Sequence, residues 1–126
     1  MVKALIVDDS RALRRMMGDL LRGLAIEVGE ASNGREALQW LRANSLPNIA
    51  LVDWNMPEMD GLEFLREVRR TPSLRQLPVM MVTTETEMDQ MVRALAAGAN
   101  EYLMKPFTQA MIAEKLQLLG ILEEVS

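Results

Sequence analysis

Short runs of consecutive apolar residues alternate along the chain with longer stretches whose apolar residues return every three or four positions. The runs are Ala4-Leu5-Ile6-Val7, Ile49-Ala50-Leu51-Val52, Val79-Met80-Met81-Val82 and Tyr102-Leu103-Met104. Unbroken runs of this length predict strands buried on both faces. Leu13, Met16, Met17, Leu20, Leu21 and Leu24 follow helical spacing, and Ser10 before them is a good N-cap. The pattern as a whole predicts strands near 3–7, 26–30, 49–52, 78–82 and 101–104, and helices near 10–23, 34–43, 61–70, 86–97 and 108–122. Asn33-Gly34 and Asp60-Gly61 mark helix starts after loops, Thr108 is placed to cap the last helix, and Gly98 suits a left-handed helix end. Alternating strand and helix predict an α/β fold: a five-stranded, doubly wound parallel sheet with helices on both faces. In such sheets ligands bind beyond the carboxyl ends of the strands, where the strand order reverses.

Polar residues at the ends of these runs therefore matter together. Asp8-Asp9, Asp53, Thr83 and Lys105-Pro106 all stand at or just after a run. Singly, each has an ordinary reading: turn acids for the aspartates, a strand-end residue for Thr83, a surface lysine for Lys105. Side by side, three carboxylates repel one another, and each pair at about 4 Å costs on the order of 4 kcal/mol at an effective dielectric near 20. A proton, Lys105 or a divalent cation must offset this. Magnesium favours oxygen ligands and keeps several waters; a carboxylate pair plus a backbone carbonyl such as that of Asn55 would leave positions open for phosphoryl oxygens. A cis Lys105-Pro106 bond would aim the ammonium back at the rim. These groups are the inventory for phosphoryl transfer to a carboxylate. Asp53 would be the nucleophile, with the metal, Lys105 and Thr83 neutralising or holding the transferring oxygens.

Composition narrows the chemistry. The chain has 126 residues, enough for one ordinary domain, and no apolar run near the length of a membrane helix. No signal peptide is evident at Met1-Val2-Lys3, so the cytoplasm is the expected location. There is no Cys and no His, which removes disulfides, thiol nucleophiles and the usual zinc ligands. A metal here must be held by oxygen. An ionised carboxylate needs no general base, so the missing His is no obstacle. Net charge is −4 with no long basic run, which speaks against direct nucleic-acid binding.

Val7-Asp8-Asp9-Ser10, Asp53-Trp54-Asn55-Met56-Pro57-Glu58-Met59-Asp60-Gly61, Met81-Val82-Thr83 and Lys105-Pro106-Phe107 resemble the receiver domain of two-component response regulators, in particular the stand-alone chemotaxis type. The resemblance covers almost the whole chain. It implies the flavodoxin-like (βα)5 strand order 2-1-3-4-5, the order known for that type. It implies that Asp53 accepts phosphate from a histidine kinase, and that Asp9, Asp53 and the Asn55 carbonyl bind magnesium with Asp8 assisting through water. Lys105 would bind the phosphoryl group, Thr83 would move toward it, and Tyr102 would rotate inward behind it, a two-state switch biased by local charge. The implied partner face comprises Thr86, Glu87, Met91, Leu95, Ala99, Tyr102, Lys115 and Leu118, with the flagellar motor switch as a candidate output protein. Met91 and Leu95 also suit a purely structural packing role. Asn55 and Glu85 would tune phosphate lifetime, and Thr84 would narrow access to Asp53.

Only Glu123-Glu124-Val125-Ser126 follow the last predicted helix, so the expectation is one receiver domain over residues 1–126, acting as a signalling switch that modifies only itself. A phosphorelay shuttle, passing phosphate to a histidine phosphotransfer protein, is the nearest alternative. A magnesium-dependent phosphatase with an aspartyl-phosphate intermediate is another. There a second acid would stand two positions after the nucleophile, whereas Asn55 follows Asp53 at that spacing.

Overall fold

Each apolar run named above is a strand of one parallel sheet. Among the described residues (1–56, 58–84 and 88–123), the computed structural model has five strands alternating with five helices. They are β1 (Lys3–Val7), α1 (Arg11–Arg22), β2 (Glu27–Ala31), α2 (Gly34–Ala43), β3 (Ile49–Asp53), α3 (Gly61–Arg70), β4 (Val79–Thr83), α4 (Met88–Ala96), β5 (Glu101–Met104) and α5 (Gln109–Leu118). The strand order is β2-β1-β3-β4-β5. The order reverses between β1 and β3, which places a crevice at their carboxyl ends.

Strand alternation sends side chains to two separate cores. Leu5, Val7, Ala50, Val52, Val79 and Met81 join Leu38, Phe64, Leu65 and Ala94 on the face covered by α2, α3 and α4. Ala4, Ile6, Ile49, Leu51, Met80, Val82 and Leu103 join Met17, Leu21, Ile112 and Leu116 on the face covered by α1 and α5. Burial on both faces is why the central strands read as unbroken apolar runs.

The predicted caps are present. Ser10, Asn33, Asp60 and Thr108 each accept a backbone N–H of the following first turn. Gly98, at φ +107, ends α4, and Ala99 N–H closes back on the Ala94 carbonyl. The last helix is shorter than expected. It stops at Leu118 because the chain turns at Gly120, φ +74, where Ile121 N–H bonds the Leu116 carbonyl. Strand β2 starts one residue later than expected, since Ile26 N–H still closes the α1 turn on the Leu21 carbonyl.

Candidate functional site

Strand register builds the site in steps. Val7 pairs with Val52, so Asp8 and Asp53 leave neighbouring strands at the same level. Asp53 pairs with Val82, which leaves Thr83 one position beyond. Thr83 in turn pairs with Met104, and Lys105 N–H donates to the Thr83 carbonyl at 2.8 Å. The Lys105-Pro106 peptide bond is cis.

The side chains converge at this rim. One carboxylate oxygen from each of Asp8, Asp9 and Asp53 lies within 4.8 Å of the others. Asp8 and Asp53 are buried while Asp9 is exposed. Lys105 Nζ donates to Asp53 Oδ1 at 3.2 Å and stands 3.8 Å from Asp8 Oδ2. Thr83 is buried beside them at the end of β4. Burial pushes the Asp53 carboxyl above the ordinary aspartate range; the Asp8 charge adds to this, and Lys105 opposes it. Burial also raises Asp8, against the Ser10 backbone N–H and Lys105, both of which favour its ionised form.

The donor set suits a hard divalent cation. The cluster offers carboxylate oxygens only, and Asp8 Oδ2 is buried without a hydrogen-bond partner. One ammonium facing two buried acids leaves negative charge uncompensated, and a cation at the rim would satisfy both the charge and the open oxygen.

Asn55 follows in the exposed loop after β3. Thr84 is exposed and lines a cleft of about 300 Å³ with Leu13, Met16, Lys105, Pro106 and Phe107. On the far face, Leu95 and Leu118 are exposed, while Met91, Tyr102 and Lys115 are half-buried. Ala99 departs from the expected face: it is buried in the core, drawn in by the turn that closes α4. Glu85, Thr86 and Glu87, and Pro57 of the aspartate loop, lie outside the described residues.

Two features escaped the sequence reading. Arg14 Nη1 donates to the Asp8 carbonyl at 2.6 Å. Glu101 pairs with Lys115 at 3.0 Å, beside Tyr102. Arg14 lies one turn after the Ser10 cap, and side chains of a first helical turn lean back toward the preceding strand end; that position was the available signal. Nothing local marks Glu101 as a partner of Lys115.

Residues 4–117 match the family described as the response regulator receiver domain. The chain is 42% identical over 118 residues to chemotaxis protein CheY1 of Helicobacter pylori, covering 93% of this chain and 95% of that protein. It is 43% identical over 117 residues to chemotaxis protein CheY of Pseudomonas aeruginosa, covering 92% and 94%. Among solved structures, chemotaxis protein CheY4 of Vibrio cholerae superposes with a TM-score of 0.87 at 36% identity, covering 94% of this chain and 98% of that one. A response regulator of Chloroflexus aurantiacus superposes with a TM-score of 0.88 at 34% identity, covering 94% and 96%.

Proposed function

The chain belongs to the response regulator receiver domain family, and on that premise we propose that it is a phosphorylation-activated, single-domain switch of two-component signalling, with Asp53 as phosphoacceptor, acting in chemotaxis. The observation that carries the proposal is the meeting of three carboxylates within 4.8 Å, one of them 3.2 Å from Lys105 Nζ. The chemotaxis pathway is favoured by the relatives, which are chemotaxis proteins at 42% and 43% identity.

In the proposed reaction an Asp53 carboxylate oxygen attacks the phosphorus of a phosphohistidine on the kinase. The O–P bond forms as the P–N bond breaks, and the imidazole nitrogen keeps the bonding pair. Burial and the Asp8 charge both favour the protonated acid, and only the ionised form attacks. Lys105 counters them through its contact with Asp53 Oδ1. The same ammonium and the Thr83 hydroxyl are the groups assigned to hold the transferred phosphoryl oxygens. A magnesium ion held by Asp9, Asp53 and the Asn55 carbonyl, with Asp8 assisting, would neutralise charge on the transferring oxygens.

Thr83 then follows the phosphoryl group and Tyr102 turns inward, altering the surface of α4, β5 and α5 for an output protein such as the flagellar motor switch. Met91, Leu95, Tyr102, Lys115 and Leu118 make up the face in this reading, and Asn55 and Glu85 set the lifetime of the phosphate. A cytoplasmic location fits, since no helix among the described residues is long and apolar enough to cross a membrane.

The test is labelling by acetyl phosphate with magnesium. Wild type is expected to become labelled and Asp53→Asn is not. Label retained by Asp53→Asn would assign the acceptor role elsewhere.

A further inference from the structure

Asp8 is tied down by three of its own polar atoms. Its N–H donates to the Ala31 carbonyl at 3.1 Å. Its Oδ1 accepts the Ser10 N–H at 2.8 Å. Its carbonyl accepts Arg14 Nη1 at 2.6 Å, a short, charge-assisted bond. Arg14 reaches back from the first turn of α1, and its Nε donates at the same time to Glu30 Oε1 on β2 at 3.2 Å. The Arg14 side chain is only 16% exposed, which makes both bonds harder to exchange for water. Two anchors at separate nitrogens fix a planar guanidinium in place and in orientation, which a lysine ammonium would not reproduce. With N, O and Oδ1 committed, only Oδ2 of Asp8 is open, and Lys105 Nζ lies 3.8 Å from it.

We propose that Arg14 is a positioning residue for the cation site: it locks the Asp8-Asp9 peptide so that both carboxylates converge with Asp53. The proposal rests on reading this cluster as a magnesium-dependent phosphoacceptor site.

A competing account uses Arg14 only as a charge. A cation close to three acids repels a second cation, so removing it would tighten magnesium binding. Positioning has the opposite sign: an unlocked peptide holds its carboxylates less well. Partners that orient metal ligands typically change metal affinity about 10–100-fold when mutated. The two accounts therefore differ in direction.

The experiment titrates magnesium chloride alone into metal-free full-length wild type, Arg14→Gln, Arg14→Lys and Glu30→Gln by calorimetry, with circular dichroism to verify folding. Arg14→Gln and Arg14→Lys are expected to raise the magnesium Kd on the order of tenfold. Glu30→Gln, which loosens only the second anchor, is expected to raise it less. Arg14→Gln binding magnesium as tightly as wild type or tighter overturns the proposal, as does Arg14→Lys matching wild type. If Arg14→Gln does not fold, the Lys variant decides alone by the same criterion. Wild type failing to bind magnesium overturns the underlying reading of the site and this proposal with it; wild type binding with unweakened variants overturns the role of Arg14 only.

Discussion

The Lys115 ammonium sits 4.7 Å from the centre of the Tyr102 ring. It also meets Glu101 Oε1 at 3.0 Å, and that same oxygen accepts the Tyr102 N–H at 3.0 Å. α5 thus holds the residue proposed to rotate from the side proposed to meet the partner. A cation–π contact at a half-exposed site contributes about 0.5–1 kcal/mol, and a surface ion pair about 0.2–1 kcal/mol. Lys115→Ala is expected to lower stability by about 1 kcal/mol in urea denaturation. Tyr102 is the only tyrosine in the chain, so its ring resonances report the contact directly. They are expected to shift in Lys115→Ala and less in Glu101→Gln; an unchanged ring spectrum in Lys115→Ala would detach the contact from the switch.

The raised proton affinities of Asp8 and Asp53 make the metal-free protein sensitive to pH. Between the ordinary aspartate range and the raised folded values, the native state binds more protons than the unfolded one. Stability in that window therefore falls as pH rises. Asp53→Asn removes the charge at every pH. In the presence of a chelator it is expected to melt higher than wild type at neutral pH, with the gain shrinking as pH falls toward 4. Thermal melts across the range check this; a gain that grows on acidification contradicts it.

Lys105 contacts both buried acids, so its loss leaves them facing each other. Lys105→Ala is expected to keep its circular dichroism spectrum and to lose metal-free stability at neutral pH. Labelling by acetyl phosphate is expected to slow by about 100-fold or more, the usual scale for one lost electrostatic donor. Beryllofluoride is expected to shift the Tyr102 ring in wild type but not in this variant. A normal Tyr102 response would remove Lys105 from the switch.

Gly61 opens α3 directly behind the acceptor strand. A Cβ there would lie 2.4 Å from the Asp53 carbonyl oxygen and 3.1 Å from Trp54 Cα, both backbone atoms that cannot swing aside. Gly61→Ala is expected to cost about 1–3 kcal/mol by overpacking and to slow labelling of Asp53 as its peptide is displaced. Urea denaturation and the labelling rate measure the two effects; wild-type values in both would mean the loop yields freely.

Much of this was legible because burial writes itself into sequence. β1, β3 and β4 are covered on both faces, so they appear as unbroken apolar runs, and their polar ends stand out. Ser10, Asn33, Asp60 and Thr108 are local hydrogen-bonding devices that act within three residues, which is why their roles follow from position alone. Where a residue acts at long range, the reading failed. Arg14 looks like one more charge on the solvent side of an amphipathic helix, yet it is bonded to the end of β1 and to β2. Ala99 belongs to the face that the family resemblance implies, but the turn at Gly98 folds it into the core.

The sequence alone determined which segments are strands and helices, and that three acids, a threonine and a lysine stand at strand ends. Only the tertiary structure decided how they meet. Asp8 stands level with Asp53 because Val7 pairs with Val52, and Lys105 reaches Asp53 across 52 positions because β5 packs beside β4. Such proximities depend on inter-strand register, which backbone hydrogen bonds and packing on both sheet faces set together. No local spacing encodes that register. The pairing with β2 commits the Asp8 N–H to the Ala31 carbonyl, local bonds from Ser10 and Arg14 take its Oδ1 and carbonyl, and its remaining oxygen stays open at the rim.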